Sequence, residues 1–168
     1  MSLPQRNALR HTFGESLTWN HGTRAELIDG IAYVREPPAP SRTHQEFVGE
    51  PHFQIRRAIE GRACRAYIAP IDVRLPHSAE ADEQIDTVVQ PDVLIVSDLT
   101  KVDERGMRGA PDWLAEILSP ASARHVQIVK LPAYERAGVR EAWFVHPTDR
   151  HSKRRSARRG TPRTSPGS

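Results

Sequence analysis

The tightest constraint on this chain is a carboxylate where an apolar run should have none. Glu116 stands inside Trp113-Leu114-Ala115-Glu116-Ile117-Leu118, a run closed by Ser119-Pro120. Its length and its boundary residues predict a strand over 111–118. A charge buried there without a partner is costly. Glu116 must therefore lie on a polar face, at an edge, or against a group that holds it.

A second apolar run, Pro91-Asp92-Val93-Leu94-Ile95-Val96, carries a carboxylate at its head. It predicts a strand over 88–96, with Pro91 at a bulge or edge. Asp92 and Glu116 are 24 residues apart on consecutive predicted strands. If those strands pair, both side chains can point to one face, and two hard oxygen donors then meet at a site of Mg²⁺ size. Their mutual repulsion favours a cation between them. Lone acids at strand ends are also common as exposed or capping residues, so spacing alone leaves both readings open. Ser122 predicts an N-cap for a helix to Ala137, stopped by Gly138. Lys130 on that helix is a candidate to orient a water or to stabilise charge developing on a phosphate. Tyr134, one turn further on the same face, reads as a core or rim contact.

The other segments read as scaffold. Residues 1–22 predict a loosely attached arm or a short helix. Asp29-Gly30 between Glu26-Leu27-Ile28 and Ile31-Ala32-Tyr33-Val34 predicts a tight β-hairpin, ended by the prolines of 36–40. Ser41 predicts an N-cap for a helix over 42–60, with Pro51 breaking or kinking it. Two short strands are expected around 64–68 and 71–75, an acidic loop over 76–84, and a last strand over 141–145. The order is that of a mixed α/β domain, one sheet with helices packed on it.

At 168 residues the chain suits one domain. Its single cysteine, Cys64, excludes a disulfide framework and a Cys-based zinc site. No apolar run reaches the roughly 18–20 residues of a membrane span, and no apolar signal core stands at the N-terminus. A cytoplasmic protein with no membrane partner is expected. The net charge of +3 comes from the end of the chain: residues 1–149 hold 17 basic and 21 acidic side chains, while 150–168 hold seven basic and no acidic ones. With no large apolar residue, 150–168 predict a disordered Arg-rich tail. No P-loop, dinucleotide glycine pattern, paired-His zinc motif or nucleophile elbow is present.

Taken in order, Glu26-Leu27-Ile28-Asp29-Gly30, His44 on a helix, Pro91-Asp92-Val93, Ala115-Glu116-Ile117-Leu118-Ser119-Pro120, Lys130 with Tyr134, and Ala137-Gly138-Val139-Arg140-Glu141-Ala142-Trp143 resemble the Uma-type restriction endonuclease family. That family is a branch of the PD-(D/E)XK nuclease superfamily. The resemblance covers about residues 24–149. It implies a restriction-endonuclease-like α/β core and Mg²⁺-dependent (or Mn²⁺-dependent) hydrolysis of DNA phosphodiesters. By it Asp92 and Glu116 are metal ligands. Lys130 replaces a superfamily lysine whose position is here Leu118, and Glu26 and His44 line the same cleft. A homodimer is compatible with it. Most members carry an acid at the position of Val126 and continue past Trp143-Phe144-Val145 with further strand. Pro132 predicts a lost hydrogen bond and a tilted turn beside Lys130. Three functional expectations result: a DNA endonuclease, a decayed member of the same fold, and a binder of nucleic acid through the basic tail.

Overall fold

The computed structural model describes residues 9–19, 25–34 and 41–147, and the backbone of 151–156. The expected proline stop at 36–40 and the end of the tail, 157–168, lie outside the described residues.

Two mixed sheets, rather than the one expected, share a core. The first has the order β2-β1-β5-β4-β8-β7. Its strands are β1 (Ala25–Ile28), β2 (Ile31–Val34), β4 (Val73–Arg74), β5 (Val88–Val89), β7 (Val102–Asp103) and β8 (Gly106–Arg108). The second has the order β11-β10-β9-β6-β3. It holds β3 (Arg65–Ile68), β6 (Val93–Val96), β9 (Trp113–Ile117), β10 (Glu141–His146) and β11 (His151–Ser156). The strand expected over 88–96 is thus two strands in different sheets. The break falls at Gln90-Pro91-Asp92, where a proline without an N–H cannot continue a ladder. The two strands expected around 64–68 and 71–75 divide between the sheets in the same way, at Ala69-Pro70.

The β1–β2 hairpin turns at Asp29-Gly30 as expected, with φ of 52° and 76°, the left-handed values such a turn requires. Of the N-terminal arm, residues 9–19 are described, and they hold the expected short helix, packed against the domain. Thr12 and Glu15 form a capping box on the short helix α1 (Phe13–Ser16). Phe13 is buried with Leu27, Ile85 and Val88, and its N–H donates to the Ile85 carbonyl at 2.7 Å.

Helix α2 (Arg42–Ala58) starts at Ser41, whose hydroxyl accepts from the His44 N–H. It runs through Pro51 as a single helix, because a proline removes only one intrahelical bond and its neighbours keep theirs. The helical segment after β9 has three parts: α3 (Ala123–His125), a π-helical stretch Val126–Lys130, and α4 (Leu131–Ala137). The Leu131 N–H donates to the Val126 carbonyl, five residues back. The wide turn lets Pro132 fall in the first turn of α4, where its missing N–H is not needed. No helix among the described residues is long and apolar enough to cross a membrane.

Both faces of the β6–β9–β10 sheet are covered, which is why its strands read as continuous apolar runs. One face packs Val93, Ala115 and Ile117 against Val48 of α2. The other packs Leu94, Leu114 and Phe144 against Tyr134, Ala133 and Val126, and against Val73 and Met107 of the first sheet. The acidic 76–84 segment, expected to be a loop, is tied to the domain through Arg74. That arginine has no exposed surface and pairs with Asp82 at 2.5 Å and Asp103 at 2.6 Å.

The tail expected to be disordered from residue 150 differs at its start. Its residues 151–156 form β11, antiparallel to β10 with Phe144 opposite Lys153. Ladder hydrogen bonds to β10 hold an outermost strand without an apolar run, and a charged edge resists further pairing.

Candidate active site

Strand pairing brings the two acids of the central runs together. The register of β6 on β9 sets Val93 opposite Ala115 and Leu94 opposite Leu114. One step further along the same ladder, Asp92 stands opposite Glu116, where facing side chains share one side of a sheet. Asp92 Oδ2 accepts from the Ile117 N–H at 2.7 Å. Glu116 is only 2% exposed and Asp92 4%, so both carboxylates are inside the protein.

Lys130 answers the question posed by the buried Glu116. Its side chain has no exposed surface, and its amine lies 2.6 Å from Glu116 Oε1 and 2.8 Å from Glu26 Oε1. Tyr134 donates its hydroxyl proton to the same Glu116 oxygen. Pro132 and the π-helical stretch therefore leave the lysine inside the cluster. Val126, which stands where most family members were expected to carry an acid, is a buried core residue instead.

Glu26 enters from β1, on the other sheet. The Gln90 N–H donates to its Oε1 at 2.7 Å, and Lys130 donates to the Gln90 carbonyl at 3.4 Å. Gln90 sits where the chain crosses between sheets, so its backbone ties the two halves of the cluster. Its side chain donates to Asp72 Oδ1 at 2.7 Å. His44, in the first turn of α2, places Nε2 3.3 Å from Asp92 Oδ1. With a side chain 26% exposed, His44 is the member of the cluster most open to solvent.

All five residues singled out from the sequence, Glu26, His44, Asp92, Glu116 and Lys130, thus meet at one place. Three further residues belong to it. Tyr134 was read as a core contact, although its spacing of four from Lys130 was a signal. Gln90 acts through its backbone and carried no signal. His125 lies with Nε2 3.9 Å from Glu26 Oε2 and its ring 4.7 Å from that of Tyr33. It reaches the lysine's acid because a π-helical turn separates them, and a regular helical period does not predict that.

The electrostatics are uneven. Burial and the charges of Asp92 and Glu26 push the Glu116 carboxyl up to about 7, against the opposing pull of Lys130. Burial would also raise Asp92, but hydrogen bonds from His44 and the Ile117 N–H, with the charges of His44 and Lys130, hold it below its usual value. Burial and the neighbouring carboxylates push the Tyr134 hydroxyl well up, so it stays a donor. Three acids face one lysine, and the histidines add charge only when protonated. Such an excess of buried negative charge on hard oxygen donors fits a divalent cation. Among the described residues, three ligand atoms within 4.8 Å of one another come together elsewhere, from Asp29, His77 and Asp86 near the hairpin turn. Arg136 already pairs with Asp29 there at 2.7 Å, which neutralises part of its charge.

Comparison with known proteins places the chain in a family and a fold. The family model Uma2, described as "Putative restriction endonuclease", matches residues 12–159, a span that includes β11. The chain also resembles the crystal structure of a putative nuclease belonging to DUF820 from Anabaena variabilis. The TM-score is 0.67 at 21% identity, over 89% of this chain and 81% of that one, a likeness of fold. No curated protein matches the chain.

Proposed function

The chain belongs to the Uma2 family of putative restriction endonucleases, and on that premise we propose that it hydrolyses phosphodiester bonds of DNA with a divalent metal. The observation that carries the reading is the facing pair Asp92 and Glu116, with the Lys130 amine 2.6 Å from the second acid. Asp92 and Glu116 would hold Mg²⁺ or Mn²⁺. The ion would supply Lewis-acid stabilisation of phosphoryl charge and acidify a water.

The chain's own residues have distinct tasks in this reading. Lys130 favours the ionised form of Glu116 and aims it, partly offsetting the burial that favours the neutral carboxyl. Tyr134 fixes the same oxygen. Glu26 and the Gln90 carbonyl fix the amine in turn, so the lysine has little freedom to swing away. In hydrolysis a water gives up a proton to solvent as its oxygen bonds to phosphorus, the bridging P–O bond breaks, and the leaving oxygen takes up a proton. His44 touches Asp92 and faces solvent, which suits it to carry that proton.

A decayed site is the competing reading. Retained chemistry is favoured because every polar member of the cluster keeps a specific partner, a costly arrangement in a core that could be apolar. The test is incubation of supercoiled plasmid with the purified protein. Nicking that requires Mg²⁺ or Mn²⁺ and stops on adding EDTA supports the proposal. An inert protein that also fails to bind Mn²⁺ in a calorimetric titration supports decay.

A further inference from the structure

We propose that β11 is a docking strip for the phosphate backbone of duplex DNA, an inference that rests on the nuclease reading and extends it. Polyanion binding needs concentrated positive charge, and residues 1–149 carry a net charge of −4. The run Lys153-Arg154-Arg155 is the densest basic stretch of the sequence, and it is built into the sheet that carries the acids. Lys153 pairs with Phe144, and Phe144 with Glu116. Asp92 follows one step beyond Val93, which pairs with Ala115 at the end of the β6–β9 ladder. The four positions form one row across the sheet. With strands about 4.8 Å apart, position 153 is about 10 Å from Glu116 across the row.

The spacing suits a nucleic acid. One strand of a duplex presents a charge about every 3.4 Å of axis, so a separation of about 10 Å keeps position 153 within a few phosphates of a scissile bond at the acids. β11 also begins at the end of the sheet where the acids lie, since His151 pairs with His146 and the Val145 carbonyl accepts from Leu118. Among the described residues β11 is the outermost strand of its sheet and has one ladder edge without a strand neighbour. Arg124 of α3, the first helix after β9, is exposed. The charge that an acidic body otherwise lacks is thus held beside the site by backbone pairing.

The test is fluorescence anisotropy of a short labelled DNA duplex with the full-length protein, in EDTA so that no bond is cleaved, over a range of KCl concentrations. Replacing Lys153, Arg154 and Arg155 by alanine should weaken binding and flatten the slope of log affinity against log salt by about 2 to 3, at about 0.9 per phosphate contact. Replacing Arg158, Arg159 and Arg163 instead should leave the slope as in the wild type. The conservative pair Arg154→Lys with Arg155→Lys keeps both charges and should keep the slope, which separates lost charge from a lost strand. Equal losses in both alanine triples, or no loss in the strand triple, would overturn the proposal. A protein that binds DNA through β11 but never cleaves it would uphold this inference and sink the nuclease reading. Cleavage with strand-independent binding would do the reverse.

Discussion

Lys130 places its amine 2.6 Å from Glu116 Oε1, although it comes from the helical segment that follows the strand rather than from the strand itself. The strand position where the superfamily lysine was expected is Leu118, which packs in the core. The cation reaches the acid from above the sheet, and the same amine reaches Glu26 on the other sheet at 2.8 Å. One buried positive charge therefore links both halves of the fold.

Removing that charge should be severe. Lys130→Met leaves Glu26 and Glu116 buried without their cation, and breaking a buried pair in this way costs about 3–5 kcal/mol. Urea denaturation measures it. The loss should shrink in mildly acidic buffer, where the acids take up protons. It should shrink again in Lys130→Met with Glu116→Gln, because the second change removes the stranded charge.

Stability without metal should depend on pH with a definite sign. Glu116 is raised in the folded state from 4.5 to about 7, so the folded protein holds its proton more tightly than the unfolded chain. Its contribution is fully present below 4.5 and is lost as pH rises toward about 7. Asp92 is shifted downward, so its contribution is lost only in acid, as pH falls through its lowered value. In EDTA, Tm should therefore fall between mildly acidic and neutral pH, and Glu116→Gln should flatten that fall. Mn²⁺ should flatten it too, by stabilising the ionised carboxylate.

Tyr134→Phe removes the hydroxyl donor from Glu116 and little volume. A hydrogen bond to a charged group contributes about 1.5–3 kcal/mol, and Lys130 remains on the same oxygen, so a loss near the lower end is expected. Chemical denaturation gives the stability, and a Mn²⁺ titration should show weaker binding because the carboxylate is less firmly aimed.

Gly106→Ala should destabilise the first sheet at a distance from the acids. Gly106 has φ of 120°, and a Cβ there would collide with the Asp72 carbonyl. A strained backbone position of this kind costs of order 1–3 kcal/mol. Asp72 also holds the Gln90 side chain, so thermal unfolding and cleavage rate should fall together.

The site was more legible in the sequence than the architecture around it. Glu116 announced itself because a carboxylate inside an apolar run requires a partner, while spacing made Asp92 and Lys130 candidates that the resemblance then singled out. Glu26 and His44 came from resemblance, since nothing local distinguishes them from surface residues. The second sheet was hidden because β4, β5 and β7 have two residues each, too short for an alternating pattern. Gln90 works through backbone atoms, to which residue type is indifferent. The π-helical stretch left only Pro132 as a trace, and that proline read as damage rather than as the start of a new helix. The tail misled through composition, because ladder pairing does not need apolar side chains.

The central claim is that Asp92 and Glu116, held by Lys130, form a working metal-dependent nuclease site. The most direct measurement is conversion of supercoiled plasmid to nicked or linear DNA in Mg²⁺ by the wild type, Asp92→Asn and Glu116→Gln, each first shown to be folded by circular dichroism. The account predicts cleavage by the wild type and none by either variant. Cleavage that persists at the wild-type rate in either folded variant would contradict it.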